Sequence, residues 1–229
     1  MSEPTSHGAA FFDVDETLIT VKSMFEFLGY HLTRCGQHSS SLPAIRAELA
    51  EIARTSSRAR SNRAYYRHFA GHDVATVAEH GREWFALAGS RAGFLHEPAV
   101  TALREHAAAG LPTVLVSGSF SACLDPIAEL LGADAILCST PIAVSGWYTG
   151  DVTTAMIGEE KGFAAARFIA ERGLCGLASH AYADHESDLS LLRAVGHPVV
   201  VGSDPSLLAV AKRRGWQRLP GIEDALLAG

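Results

Sequence analysis

Four places in the chain hold side chains suited to chemistry, and each lies close to a short apolar run or a helix start. The first is Asp13-Val14-Asp15-Glu16-Thr17-Leu18, with two carboxylates at i and i+2. In an extended chain those positions face one side, so Asp13 and Asp15 can share a pocket. The plainer alternative is a pair that solvates a loop or caps a helix. The second is Ser117-Gly118-Ser119-Phe120, which sets a hydroxyl and free backbone N–H groups at a helix start, where an anion binds readily. A serine that simply caps the helix fits the same residues. The third is Lys161, which follows Gly158-Glu159-Glu160 in the first turn of a helix. A cation there opposes the helix dipole, so it is either a solvated surface lysine or a functional one. The fourth, Ala183-Asp184-His185-Glu186-Ser187-Asp188, supplies two more carboxylates.

If Asp13, Asp15, Asp184 and Asp188 converge, each close pair at about 4 Å repels by roughly 4 kcal/mol at an effective dielectric of 20. Lys161 alone does not offset that. Hard oxygen ligands beside a phosphate-friendly helix start suit Mg2+, which keeps several waters and shares a substrate's phosphate. The constellation therefore points to metal-assisted phosphoryl chemistry, with Mg2+ as the expected cofactor.

Those motifs need a scaffold that brings strand ends together. Short apolar runs alternating with helical patterns predict a parallel sheet covered by helices. Strands are expected at 9–13, 112–117, 133–139, 178–184 and 198–202, and helices at 98–109, 120–131 and 159–172, stopped by Gly110, Gly132 and Gly173. Residues 141–152, containing Gly146-Trp147-Tyr148-Thr149-Gly150, read as a hairpin flap. After the first strand the alternation stops, and helices are expected at 23–33, 42–55, 62–70 and 73–88. The expected fold is α/β: a Rossmann-like parallel-sheet core (1–22 and 98–229) with an inserted all-helical cap domain (23–97).

Composition agrees with an enzyme of this size. The chain has 229 residues, 48% hydrophobic and 19% charged, enough to bury a core. Its net charge of −6 argues against a nucleic-acid partner. No apolar run is long enough for a membrane span, and the first ten residues do not resemble a secretion signal. Cys35, Cys123, Cys138 and Cys175 form no CxxC pair, so reduced thiols in a cytoplasm are expected, with neither a disulfide framework nor a zinc site. The remaining histidines (His31, His68, His72, His80, His96, His106, His180 and His197) are scattered and form no HxH or HExxH spacing, so a histidine-built metal site is not expected.

Taken in order, the four motifs resemble those of the haloacid dehalogenase superfamily, from about residue 9 to residue 215. The helical insert, Ser117-Gly118-Ser119-Phe120 and Glu160-Lys161-Gly162 are similar to its phosphoserine-phosphatase-like branch. The resemblance implies a Mg2+-dependent phosphatase acting on a small-molecule phosphate monoester. Asp13 would attack phosphorus and become an aspartyl-phosphate, while Asp15 would act as acid and then base. Ser117, with Gly118 and Ser119, would hold phosphoryl oxygens, and Lys161 would balance charge. Asp13, Asp15 (through its carbonyl) and Asp184 would ligate the metal, with Asp188 orienting its waters or Lys161. A phosphotransferase or mutase using the same intermediate is the nearest alternative, and a non-catalytic binding module a more distant one.

Two departures from the pattern concern this chain alone. The last motif reads Ala183-Asp184-His185 where the family usually opens with glycine, and His185 is expected to line the crevice. Where phosphoserine phosphatases place an acidic residue to grip the serine ammonium, this chain has Lys22. Lys22 disfavours an amine, although Glu26 one turn later could still reach inward, so phosphoserine is expected to be a poor substrate. Of the cap arginines Arg54, Arg58, Arg60, Arg63 and Arg67, the choice is a solvated face or one that points to substrate. Tyr65, Tyr66 and Phe69 read as cap core, and Trp147 and Tyr148 either cover the substrate or pack beneath the cap.

Overall fold

The computed structural model describes residues 7–36 and 41–226. In chain order the elements are β1 (Ala10–Phe12), α1 (Ser23–Arg34), α2 (Ser41–Thr55), α3 (Arg58–Tyr66), α4 (Val74–Ala88), α5 (Glu97–Ala108), β2 (Thr113–Ser117), α6 (Ser121–Leu131), β3 (Ala135–Cys138), β4 (Thr140–Val144) and β5 (Trp147–Thr154). They continue with α7 (Glu159–Glu171), β6 (His180–Ala183), α8 (Leu189–Arg193), β7 (His197–Val201), α9 (Pro205–Arg214), β8 (Gln217–Leu219) and α10 (Ile222–Leu226). Six strands pair in the order β3-β2-β1-β6-β7-β8, all parallel. β1 sits at the centre because its three residues are apolar and buried on both faces, as parallel strands require. Alternate residues then sort to opposite faces. Phe12, Leu115 and Tyr182 face α5 and α6, while Phe11, Val114 and Ala181 face α7, α8 and α9.

The four helices between β1 and α5 bury an aromatic cluster of Phe27, Tyr65, Tyr66, Phe69 and Trp84. This cluster does not stand alone. Phe120, which caps α6, lies 5.2 Å from Phe69 and 5.4 Å from Tyr66 between ring centroids, so the insert and one sheet face share a single apolar core. α4 packs directly on α6 because position 81 is glycine: a Cβ there would stand 1.9 Å from the Ala122 carbonyl oxygen.

The expected flap forms as the antiparallel pair β4–β5. Its Tyr148 is buried beneath the insert against Phe69 and Phe120, whereas Trp147 remains 54% exposed. The tip is fastened to the loop before α4 by Gly71 N to Tyr148 O (2.8 Å), Tyr148 N to His72 O (2.9 Å) and Val74 N to Gly146 O (2.9 Å). One expected helix moves. The segment placed at 62–70 begins instead at Arg58, where Ser57 Oγ accepts from Arg60 N at 3.1 Å, and gives way to a 3-10 turn over Arg67–Phe69. Arg60, Arg63 and Arg67 therefore form no continuous stripe, and Arg63 donates to the Val152 carbonyl of β5 at 2.6 Å.

Candidate active site

The carboxyl ends of β1, β2 and β6 meet at one crevice, where the order reverses about the central strand. Past β1 the chain turns tightly. Leu18 N and Ile19 N both donate to Val14 O, and Glu16 adopts a left-handed φ of 63°. That conformation costs a non-glycine residue about 1–2 kcal/mol. The turn sends Asp13 and Asp15 into the crevice and brings Thr17 Oγ1 back to donate to Asp184 Oδ1 at 3.0 Å.

Lys161 enters from the first turn of α7 and is buried, which explains a cation at an otherwise unfavourable helix start. Its Nζ donates to Asp13 Oδ1 at 2.7 Å and lies 2.7 Å from Asp188 Oδ1. Both contacts are buried ion pairs at hydrogen-bond length. Burial by itself pulls the lysine's pKa down, but Asp13 and Asp188 overcome this and hold it above the ordinary value.

Asp13, Asp184 and Asp188 each place an oxygen within 4.8 Å of the others. The Asp15 side chain stands outside that set and accepts from Ser23 N at 3.1 Å, at the start of α1. Burial is the largest influence on every carboxyl here. It raises Asp13 and Asp184 to about 6 and Asp15 to about 7, and it raises Asp188 as well.

The Ser117-Gly118-Ser119 segment closes the crevice on the β2 side. Ser117 Oγ accepts from Ser119 N at 3.1 Å. The Gly118 carbonyl accepts three hydrogen bonds, from Asn62 Nδ2 (2.8 Å), Tyr66 Oη (2.9 Å) and Ser139 Oγ (2.8 Å). Three donors on one carbonyl fix the peptide plane and leave the crevice-facing side of the loop to anions. A Cβ at position 118 would press on Ile157 Cδ1 at 2.5 Å and Asn62 Nδ2 at 3.2 Å, so a larger residue would shift the side chains that hold the loop. Asn62, Tyr66, Ser139 and Thr17 escaped the sequence reading. Asn62 lies between Ser61 and Arg63 in a polar stretch, so nothing in the sequence marks it as buried.

Among the other expected residues, Lys22 lies on the crevice wall and pairs with Glu16 at 3.0 Å, which partly neutralises it. Glu26 does not line the crevice but does line the cavity beside it, where it pairs with Arg91 at 2.5 Å. His185 lines the crevice, with Nδ1 accepting from Ser187 N at 3.0 Å. Arg58 is the one arginine of the five that borders the crevice, with Nη1 2.9 Å from His185 Nε2. Beside the crevice opens a cavity of about 610 Å³. Met24, Phe25, Leu49, Ala53, Tyr65 and Ile157 give it mainly apolar walls, and Arg46 and Arg58 lie at its edge.

A parallel sheet that gathers buried carboxylates and a lysine at its carboxyl edge is a Rossmann-like α/β fold with its site at the strand ends. The chain belongs to the haloacid dehalogenase-like hydrolase family, whose model matches residues 10–193. It is 30% identical over 233 residues to "Probable phosphatase Rv3661" of Mycobacterium tuberculosis, a match that covers 93% of this chain and 75% of that protein. It is 32% identical over 141 residues to the "Inhibition of morphological differentiation protein" of Streptomyces azureus, covering 56% of this chain and about half (51%) of that protein. Among solved structures, a protein of unknown function from Bordetella pertussis Tohama I superposes with a TM-score of 0.83 at 26% identity, covering 94% of this chain and 99% of that one. A substrate-bound phosphoserine phosphatase shares the fold, with a TM-score of 0.67 at 18% identity over 89% of this chain and 90% of that one. No helix among the described residues is long and apolar enough to cross a membrane.

Proposed function

We propose that the chain is a Mg2+-dependent phosphomonoesterase working through an aspartyl-phosphate on Asp13, with a substrate whose leaving group is bulky and largely apolar. The observation that carries the chemistry is Asp13 held by Lys161 at 2.7 Å beside Asp15, a carboxyl that burial raises to about 7. An acid and base poised near neutrality is what a protonated leaving group and a deprotonated water both need.

Asp13 Oδ forms the new bond to phosphorus as the ester oxygen departs. The Asp15 carboxyl gives its proton to that oxygen, and the resulting carboxylate takes a proton from the water that splits the aspartyl-phosphate. Asp13 and inorganic phosphate are then released. Lys161 stays bonded to Asp13 through both halves, and the fixed Ser117-Gly118-Ser119 loop holds the phosphoryl oxygens. The residues fit a divalent cation: three carboxylates with oxygens within 4.8 Å of one another share one lysine, which leaves negative charge for an ion to offset. Asp13, Asp184, Asp188 and the Asp15 carbonyl would hold Mg2+, which supplies positive charge to the phosphate when bound.

The cavity supports the choice of leaving group. Its walls are mainly apolar, and of the charged residues that line it Lys22, Arg46 and Arg58 are cationic while the one carboxylate, Glu26, is paired with Arg91. The test is phosphate release with Mg2+ and no acceptor, comparing aromatic and long-chain aliphatic monoesters with phosphoserine and with sugar and polyol phosphates. The expected kcat/KM advantage of the apolar esters is at least about tenfold, since one or two buried methylenes suffice for it. Phosphoserine at or above their level would refute the assignment of the leaving group, and phosphate release only with an added alcohol would favour a phosphotransferase.

Metal removal should show in stability. The carboxyls sit above their ordinary 3.8, so the folded state retains protons that the unfolded chain gives up. Metal-free protein therefore loses stability as pH rises from about 4 to about 7, and the loss is complete above that window. Mg2+ is expected to raise Tm clearly near pH 8 and barely near pH 5. An equal response at both values, read by thermal unfolding with and without Mg2+, counts against a carboxylate-bound ion.

A further inference from the structure

A second group of ligating side chains lies in the insert, away from the catalytic carboxylates. His31 and Cys35 stand eight and twelve residues beyond Ser23, about 12 and 18 Å along α1 from the end that touches Asp15. His31 is the hub. Its Nδ1 lies 2.9 Å from His80 Nδ1 on α4, and its Nε2 lies 2.9 Å from His72 Nδ1 in the loop before α4. Cys35 Sγ is 3.7 Å from both His31 Nε2 and His72 Nδ1. Spacing along the chain hides this arrangement, because only His31 and Cys35, at i and i+4, belong to one segment.

The triangle of His31 Nε2, His72 Nδ1 and Cys35 Sγ, with edges of 2.9, 3.7 and 3.7 Å, has a circumradius of about 2.0 Å. An ion slightly off its plane would sit about 2.0–2.3 Å from all three atoms, the range of zinc–nitrogen and zinc–sulfur bonds. We propose that Cys35, His31 and His72 bind a zinc-type divalent cation, with His80 orienting His31 through the other ring nitrogen.

The surroundings suit that role. A ligating histidine usually donates its second ring N–H to a fixed partner, and His80 Nδ1 is placed to accept from His31. The imidazoles are neutral: burial first, then the neighbouring rings, hold His31 at about 4, and His72 is lowered as well. Cys35 is exposed, which gives the ion a way in and leaves a fourth position for water. On binding, the Cys35 thiol gives up its proton to solvent and the thiolate becomes the ligand. A sulfur and nitrogen set selects zinc or cobalt over magnesium, which prefers oxygen, so the two centres do not compete for one ion. The ion would join α1 to His72, whose backbone carbonyl already accepts from Tyr148 of the flap.

The test is titration of the chelator-stripped full chain with Co2+ and with Zn2+. Wild type is expected to bind Co2+ with a near-ultraviolet thiolate-to-cobalt charge-transfer band, and Zn2+ is expected to displace it and raise Tm. Cys35 is exposed, so Cys35→Ser should keep the fold by circular dichroism yet lose both the band and the Zn2+-dependent rise in Tm. His72→Ala should weaken Co2+ binding about tenfold or more. A wild type with no thiolate band, or a Cys35→Ser protein with band and Tm response unchanged, overturns the proposal.

Discussion

Asp13→Asn is expected to lose phosphate release by on the order of 10⁴-fold or more in kcat, the scale on which removal of a covalent nucleophile is felt. The amide matches the carboxylate in shape but cannot donate an electron pair to phosphorus with comparable force. The fold should persist, because Lys161 keeps its contact with Asp188 at 2.7 Å when Asp13 loses its charge. Acid-quenched wild type incubated with substrate should carry a phosphoryl group on the peptide containing Asp13, and the variant should carry none. Turnover in Asp13→Asn within tenfold of wild type would remove the nucleophile from the mechanism.

Lys161→Met should damage both stability and activity. Breaking a buried pair by removing one partner costs about 3–5 kcal/mol, because the other charge is left uncompensated. Here two carboxylates, Asp13 and Asp188, lose the same cation. The cost depends on pH in a determined direction. Burial already raises Asp13, Asp184 and Asp188, and losing Lys161 removes a charge that holds all three down, so in the variant they take up protons more readily as pH falls and the repulsion fades. Urea unfolding without Mg2+ should show the largest deficit near pH 8 and a much smaller one near pH 5. Phosphate release should fall by roughly 10²–10³-fold, as when one preorganised donor to a developing charge is removed. A deficit that does not vary with pH would mean that Lys161 contributes through packing of its stem, not its charge.

That these residues meet at one crevice was legible in the sequence because they occupy strand ends or helix starts. Asp13, Ser117, Lys161, Asp184 and Asp188 each follow an apolar run or open a helix, and backbone periodicity alone carries them to one edge of the sheet. The five strands expected from those runs all form. β8, Gln217–Leu219, was missed because an edge strand with polar, exposed residues has no alternation to detect. The start of α3 was missed because Ser57 caps a first turn of Arg58, Ala59 and Arg60, which carries no apolar period. What stayed hidden depends on side chains meeting across the fold. The three donors on the Gly118 carbonyl come from α3 and the β3–β4 turn, and the His31 group comes from α1, α4 and a loop. The arginine that borders the crevice could not be chosen among five, since its selection depends on where α3 begins.

The continuity of the aromatic core from Phe27 through Phe69 and Phe120 to Tyr148 divides the insert by attachment strength. α1 and α4 are anchored in that core, whereas α2 contributes a single fully buried side chain, Leu49. Yet α2 carries Arg46, Leu49, Ala50 and Ala53, a large part of the wall around the leaving group. On the proposed function, the residues that handle phosphorus stand on the firmly packed sheet edge, while part of the wall facing the alcohol stands on the less anchored α2. Exchanging α2 for another sequence could retarget the enzyme while leaving its reaction centre undisturbed.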